Sequence, residues 1–379
     1  MCCIKSDRMK KNKNVLISGA SFAGLTTAYW MNQLGYNVTI IEIGSSLKKG
    51  GTPVDIKDST VAIVKRMGIF EQIKAHRVGP EKWEFKNAAD QTGYSLIIKG
   101  QGEEFADDEF EIERDTLLEI LYNLVKDDVT FIFNNSIEKL NESADEMEVT
   151  FKDGWSGKYV YVFGCDGIHS VVRKIWFGHE SEYAHFLGQY FSIAVVDKLL
   201  VENGTYQMYS EANNCTALYA HNDKTDVIFT FRPEKEISYD FRNQQQLKEI
   251  VSNQMKGIGW RAAELESELL KSSSFYFDKF CQIKMPSWTK GRVALVGDAG
   301  YCASPAAGMG GSLAIIGATA LADAFTNNLQ DYQSAFRTYN KDLKPFIEEI
   351  QKDAVQTLDK LLPATEEQAR EMWEKGIGF

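Results

Sequence analysis

The sequence predicts an α/β protein: a parallel-stranded layer assembled from both ends of the chain, a sheet-rich insertion between them, and closing helices. Three observations predict it. Residues 14–43 read as strand, glycine loop, helix and strand. At 292–315 a short apolar run again ends in Gly-Asp and leads through more glycines into a helical pattern. Between them, 176–285 turns to an aromatic-rich alternation of polar and apolar residues. An apolar run that switches to a 3.6-residue period after glycine marks a strand-to-helix crossover, whereas a period of two marks a half-buried strand.

Taken in order, "NVLIS" (14–18) is a short buried strand, "LTTAYWMNQLGY" a helix ended by Gly35, and "NVTIIEI" (37–43) a second strand ending in an acid. A helical pattern follows over 58–76, then short alternating runs, "EKWEFKNA" and "GYSLIIKG", and the amphipathic helix "RDTLLEILYNLVKD" at 114–127. Strands occupy 129–152 before a turn at Asp153-Gly154, and "KYVYVFGCDG" is a further strand with glycine at its mouth. The insertion reads as a mainly antiparallel sheet with one helix, "QQQLKEIVSNQM"; the remainder is helical from 309 to 375, punctuated by Pro345 and Pro363. The expected boundaries are therefore 1–175 with 286–328 for the first domain, 176–285 for the second, and 329–379 for helices bridging the two.

Composition narrows the function classes. The 379 residues are 44% hydrophobic and carry a formal net charge of -11, enough for a large core and the wrong sign for binding nucleic acid. Six cysteines, Cys2, Cys3, Cys165, Cys215, Cys281 and Cys302, show no metal-ligand spacing, which points to a reduced, cytoplasmic protein without a metal. The five histidines show none either. The start, "MCCIKSDRMKKNKN", is polar and basic, unlike a secretory signal, and no apolar run reaches the ~20 residues of a bilayer span. Neither a nucleic-acid nor a membrane partner is expected, and the protein is expected to be a monomer.

The motifs carry the chemistry. Gly19, Ser21 and Gly24 form a GxSxxG loop between strand and helix, with Glu42 at the end of the next strand. Such a loop lets backbone amides and a helix N-terminus approach a pyrophosphate while the acid accepts ribose hydroxyls. It does not distinguish FAD from NAD. In "FGCDGIHSVVRK", Asp166-Gly167 ends a strand; alone, this is equally a turn capped by Asp166. In "VALVGDAGYCASPAAGMGGSLAI", Asp298 stands at a strand's carboxyl end, Pro305 stiffens the loop, and Gly308, Gly310 and Gly311 permit close approach at a helix start.

Together, "GASFAG" with Glu42, "CDGIHSVVR" and "GDAGYCASPAAGMGG" resemble the three signatures of single-component FAD-dependent monooxygenases of the aromatic-hydroxylase type (class A), over nearly the whole chain. The resemblance implies a Rossmann-like FAD domain of the GR2-type flavoprotein fold and a sheet-rich substrate domain. It puts Gly19, Ser21, Phe22, Ala23 and Gly24 on the pyrophosphate, Glu42 on the adenosine ribose, and Gly51 and Arg114 near the FAD phosphates. It puts Asp166 and Gly167 on FAD and the nicotinamide cofactor, Asp298 on the ribitol, and Pro305, Gly308, Gly310 and Gly311 along the flavin ring. Within that group, "KKGGTPVDIKDSTVAIVKRMGI", "QIKMPSWTKGRVALVGDAGYCASP" and "YNKDLKPFIE" most resemble the tetracycline destructases. The family's GQGxN is here Gly308-Met309-Gly310-Gly311-Ser312, and its usual histidine is Tyr301, so a looser cofactor is expected.

By this resemblance the protein consumes NADPH or NADH and molecular oxygen. It hydroxylates a polycyclic or aromatic substrate through a flavin C4a-hydroperoxide, inactivating tetracycline antibiotics. The flavin carries the reaction, so no side chain is singled out as catalytic. Aromatic walls suit a flat phenol; Phe229 and Phe231 share one face of "DVIFTFRP", and Tyr190, Ser192, Tyr206, Met208 and His221 are further candidates for the pocket. Two other classes stay open: a flavoprotein reductase or oxidase that does not oxygenate, and a non-catalytic flavin- or ligand-binding protein.

Overall fold

The computed structural model describes residues 12–98, 109–328 and 331–378; Cys2 and Cys3 lie outside them. The first sheet has six strands in the spatial order Thr289–Lys290, Val293–Leu295, Tyr161–Gly164, Asn14–Ser18, Asn37–Ile41, Thr130–Ile132. All pair in parallel except the outermost, Thr289–Lys290. Val15, Leu16 and Ile17 are fully buried, as the central strand of a parallel sheet covered on both faces requires. The helices Phe22–Gln33 and Gly310–Asn327 pack against one another beside it.

The second sheet has seven strands, in the order Ser274–Ile283, Ala184–Val196, Lys224–Phe231, Asn214–His221, Thr205–Glu211, Lys82–Lys86, Thr92–Ile97. Its last two strands come from the segment that the expected boundaries place in the first domain. Lys82–Lys86 runs parallel to Thr205–Glu211, with Phe85 opposite Met208. The insertion also holds two helices where one is expected, Gln244–Met255 and Ala262–Lys271. Both cover the same face of the sheet, where Leu247, Val251, Leu265 and Leu269 form a core with Val227 and Phe277.

A small antiparallel sheet, Val54–Lys57, Glu109–Ile112 and Arg77–Val78, lies between the two large ones. Its apolar side chains, Ile56, Phe110 and Ile112, belong to the core of the first sheet. The chain closes with Tyr332–Leu361 and Glu366–Lys375. Pro345 does not punctuate the first of these, which runs unbroken through it for 30 residues. The last helix rests on the strands Lys82–Lys86, Thr92–Ile97 and Thr205–Glu211.

Candidate cofactor and substrate site

The three motifs meet at the carboxyl ends of the parallel strands, where open α/β sheets bind ligands. Gly19 has φ +104°, and a Cβ there would stand 2.4 Å from the Cys165 carbonyl oxygen, so the first loop touches the second motif. Gly297 has φ +68°, and its Cβ would stand 3.1 Å from that of Ala23, so the first loop also abuts the third motif. Gly311 lies as closely over Val54 and the Phe22 ring.

Arg114 fastens the near end. Its Nη1 donates to the carbonyls of Lys48 and Gly50 at 2.9 and 3.1 Å, and its Nη2 donates to Ser21 Oγ at 3.2 Å. Gly51 (φ +105°) gives its side chain room. Glu42 accepts from the amides of Ala20 and Gly44, at 2.9 and 2.8 Å. A carboxylate has about four lone-pair sites, so Glu42 shapes the loop and keeps acceptor capacity. Asp166 caps the helix Val171–Trp176, accepting from Ser170 Oγ (2.5 Å) and from the amides of Val171 (2.8 Å) and Val172 (3.1 Å). The capping alternative left open by the sequence is thus realised in the geometry.

At the far end, Gly308 (φ +65°) lies against Asp55, and a Cβ on Gly167 or Gly310 would meet nothing within 4 Å. Gly310, beside that open space, begins an 18-residue helix with no side-chain cap, and an uncapped helix start is a setting that favours an anion. Burial pushes the Asp298 carboxyl above the ordinary carboxylate range, while Cys302 and Arg173 oppose the shift. An acceptor at Glu42, an arginine-braced loop, and an open helix start across a glycine-lined cleft fit an extended dinucleotide. Among the described residues there is no His/Cys/Asp/Glu cluster that would hold a metal.

Several residues at this junction escape a sequence reading because their partners are distant in the chain. Arg173 is fully buried, with Nη1 donating to the Ala299 carbonyl at 2.8 Å and Nη2 to Ile168 O and to Glu180 Oε2 at 3.2 Å. His169 stands between Glu180 (3.0 Å) and Asp278 (3.2 Å) under the Phe241 ring, and Asp278 also accepts from Tyr239 and Tyr276. Burial alone would lower its pKa, but the bonds to Asp278 and Glu180 raise it to about 9. His169 therefore ties the second motif to the second sheet as a cation. Because its folded pKa lies above the unfolded value of 6.5, this contribution is complete below pH 6.5 and fades as pH rises through about 9. Thermal melts across that window should show wild type losing on the order of 2–3 kcal/mol relative to His169→Gln; parallel curves would refute it.

The second sheet has two unlike faces. Tyr190 pairs with Phe231, and Ser192 with Phe229, so these four point the same way. Tyr190, Phe229 and Phe231 lie in the core beneath the two helices, and Ser192 is fully buried. That corrects the pocket expected of them. Alternation fixes which residues share a face, but not which face the helices cover. Tyr206, Met208 and His221 lie on the other face. There Trp83 stacks on Tyr206 at 4.2 Å, Tyr206 approaches Tyr219 at 5.9 Å, and Tyr219 approaches His221 at 4.9 Å. His221 Nδ1 reaches Glu113 of the small-sheet segment at 3.3 Å. This aromatic row therefore faces the small sheet, whose Asp55 abuts Gly308. A groove of about 670 Å³ under the long C-terminal helix, lined by Trp288, Tyr301 and Gln351, contains none of the glycine-loop residues.

The FAD binding domain family matches residues 12–354 of the chain. The chain belongs to that family. It is a flavin-dependent monooxygenase: a protein so named from Legionella longbeachae is 35% identical over 360 residues, covering 93% of this chain and 91% of the relative. The solved structure of tetracycline destructase Tet(51) superposes with a TM-score of 0.85 at 31% identity, covering 96% of this chain and 95% of that one. Tetracycline destructase Tet(55) gives 0.84 at 31% identity, with 97% of each chain covered. FAD is the cofactor that the family and the cleft share.

Where this monooxygenase departs from the expected signatures, the structure shows what the new residues touch. Ser312 Oγ donates to the Asp55 carbonyl at 2.7 Å, fixing the glycine-rich helix start to the small sheet. Tyr301 is buried against Trp288, accepts from Tyr339 at 3.1 Å, and occupies room left by Gly317, where a Cβ would stand 1.7 Å from its hydroxyl. Among the described residues no helix is long and apolar enough to cross a membrane.

Proposed function

We propose that this monooxygenase takes electrons from NADPH or NADH and inserts one oxygen atom into a flat phenolic substrate, with tetracyclines as the first class to test. The observation that carries this reading is the aromatic row Trp83, Tyr206, Tyr219 and His221, set opposite the small sheet that abuts the glycine-rich loop. The similarity to Tet(51) and Tet(55) supports the substrate class.

When bound, the flavin supplies hydride acceptance and oxygen activation. The chain's residues do the rest. Arg114, Glu42 and the open start of Gly310–Asn327 hold and orient the cofactor's polar parts. The aromatic row offers stacking surface to a planar ring system. The closing helix contributes Met372 to an apolar cluster with Phe85, Met208 and Leu362, which keeps water from that end of the pocket. The buried cysteines of the described chain are free thiols, in keeping with a cytoplasmic setting.

The test is mass spectrometry of tetracycline after incubation with the FAD-loaded protein, NADPH and air. The expected product is heavier by one oxygen atom and is absent without NADPH. Unchanged tetracycline with NADPH still consumed would sink the substrate class and favour a reductase or oxidase. Failure of NADPH or NADH to reduce the flavin would favour a non-catalytic binding protein.

A further inference from the structure

We infer that the facing carboxylates of Asp55 and Glu111 form an acidic end wall of the pocket that selects a flat aromatic ligand bearing a cationic amine. The inference rests on reading the aromatic face of the second sheet as the substrate wall.

In the small sheet, Val54, Ile56, Phe110 and Ile112 point to the core, so the alternate residues point to the second sheet. Asp55 stands directly opposite Glu111, and Lys57 opposite Glu109. Two carboxylates are thus held side by side on one face. The cations nearby are already engaged. Lys57 is shared between Asp55 and Glu109, at 3.8 and 3.9 Å. His221 lies 3.3 Å from both Asp226 and Glu113, and Lys224 bears on Asp226. Among the described residues Glu111 has no ion-pair partner.

Tyr219, whose residue is 4% exposed, turns its hydroxyl to the Glu111 carboxylate, which couples the aromatic row to this wall. Beside it Oδ1 of Asp226, whose residue is 0% exposed, has no hydrogen-bond partner among the described residues. Buried polar atoms are ordinarily satisfied, so this one points to a group brought by a ligand. The charge surplus says what kind: negative potential beside Trp83, Tyr206 and Tyr219 favours an ammonium on an aromatic body, with ring faces adding cation–π attraction. A metal is the poorer occupant, since no cluster of metal-binding side chains forms among the described residues.

The wall's charge depends on pH. Burial, and then the charge of Asp55, raise Glu111 to about 7, with Tyr219 and His221 opposing and Asp226 reinforcing. Burial also raises Asp55, Lys57 opposing and Glu109 reinforcing. An ammonium ligand must therefore bind better as Glu111 loses its proton.

Calorimetry on the FAD-loaded protein tests this with naphthylmethylammonium and its neutral counterpart naphthylmethanol. At about pH 8 the ammonium should bind about tenfold more tightly, and at about pH 6 the preference should shrink to about threefold or less. Glu111→Gln, which keeps the side chain's size, should abolish the preference at both pH values, and Asp55→Asn should reduce it. Unmeasurable ammonium binding, equal affinities at the higher pH, or a pH-independent preference that survives in Glu111→Gln would overturn the inference. Should Glu111→Gln not fold, the wild-type pH series decides by itself. The probes are not tetracyclines: a clear preference alongside failure to oxidise tetracycline refutes the proposed substrate class and leaves the acidic wall standing.

Discussion

Gly24→Ala should cost the protein its flavin. A Cβ at this position would stand 1.9 Å from the carbonyl oxygen of Gly19. Ordinary contact with an oxygen needs more than 3 Å, so the helix Phe22–Gln33 must slide outward by more than about 1 Å or the loop must open. Neither movement is easy. Val15, Leu16 and Ile17 of the strand below are fully buried, Gly19 is itself held against Cys165, and the helix packs along Gly310–Asn327. Overpacking of this kind costs about 1–3 kcal/mol or more, and any relief displaces the loop amides that would receive the pyrophosphate. We expect flavin affinity to fall at least about a hundredfold, about 2.7 kcal/mol, read from the absorbance of protein after gel filtration. Gly310→Ala is the informative contrast. Its Cβ meets no protein atom, so the melting temperature should hardly change, yet the added methyl enters the space assigned to the cofactor and should weaken retention. Wild-type flavin content in both variants would dismiss the glycine loops as the binding site.

Arg173→Met should produce the largest loss of stability. The guanidinium is fully buried and donates to Ala299 O, Ile168 O and Glu180, joining the turn after Asp166 to the helix that begins at Asp298. Removing this buried donor costs about 3–5 kcal/mol, because the carbonyls of Ala299 and Ile168 lose it outright and Glu180 is left with His169 alone. For a chain of this size that is roughly a 5 °C fall in melting temperature. Arg173→Lys keeps the charge but not the planar fork, so it should recover only a minor part. A melt unchanged in Arg173→Met would remove this arginine from the account of how the second and third motifs are held together.

Part of this arrangement is written locally in the sequence. Gly19 and Gly308 are visible because left-handed backbone and close approach leave few alternatives to glycine. Glu42 is visible because an acid at the mouth of a buried strand is unusual. Phe229 and Phe231 show the complementary limit: their period of two is plain, but their burial depends on helices at 244–255 and 262–271. The second helix, "AAELESELLK", was hidden because the aromatic alternation around it favours a strand reading. Asp55 and Glu111 alternate legibly with apolar neighbours, but nothing short of the strand register sets them opposite each other. His169 and Arg173 fall in a recognisable string, yet their partners at 278 and 299 are far along the chain.

The placement of Lys82–Lys86 and Thr92–Ile97 at the far edge of the second sheet has a consequence for synthesis. Glu84 accepts a hydrogen bond from Gln207, 123 positions later. At about 5–20 residues per second on a ribosome, the hairpin waits roughly 6–25 s for its neighbour to be made. Throughout that interval it is a nascent ribbon with an open side. Its charged residues suit the wait: Lys82, Glu84 and Lys86 alternate with Trp83 and Phe85, and Glu84 pairs with both lysines at 2.9 and 3.2 Å. Charge along an unpaired edge discourages strand addition by other chains. The hairpin thus carries its own protection until residues 205–211 arrive to cover it.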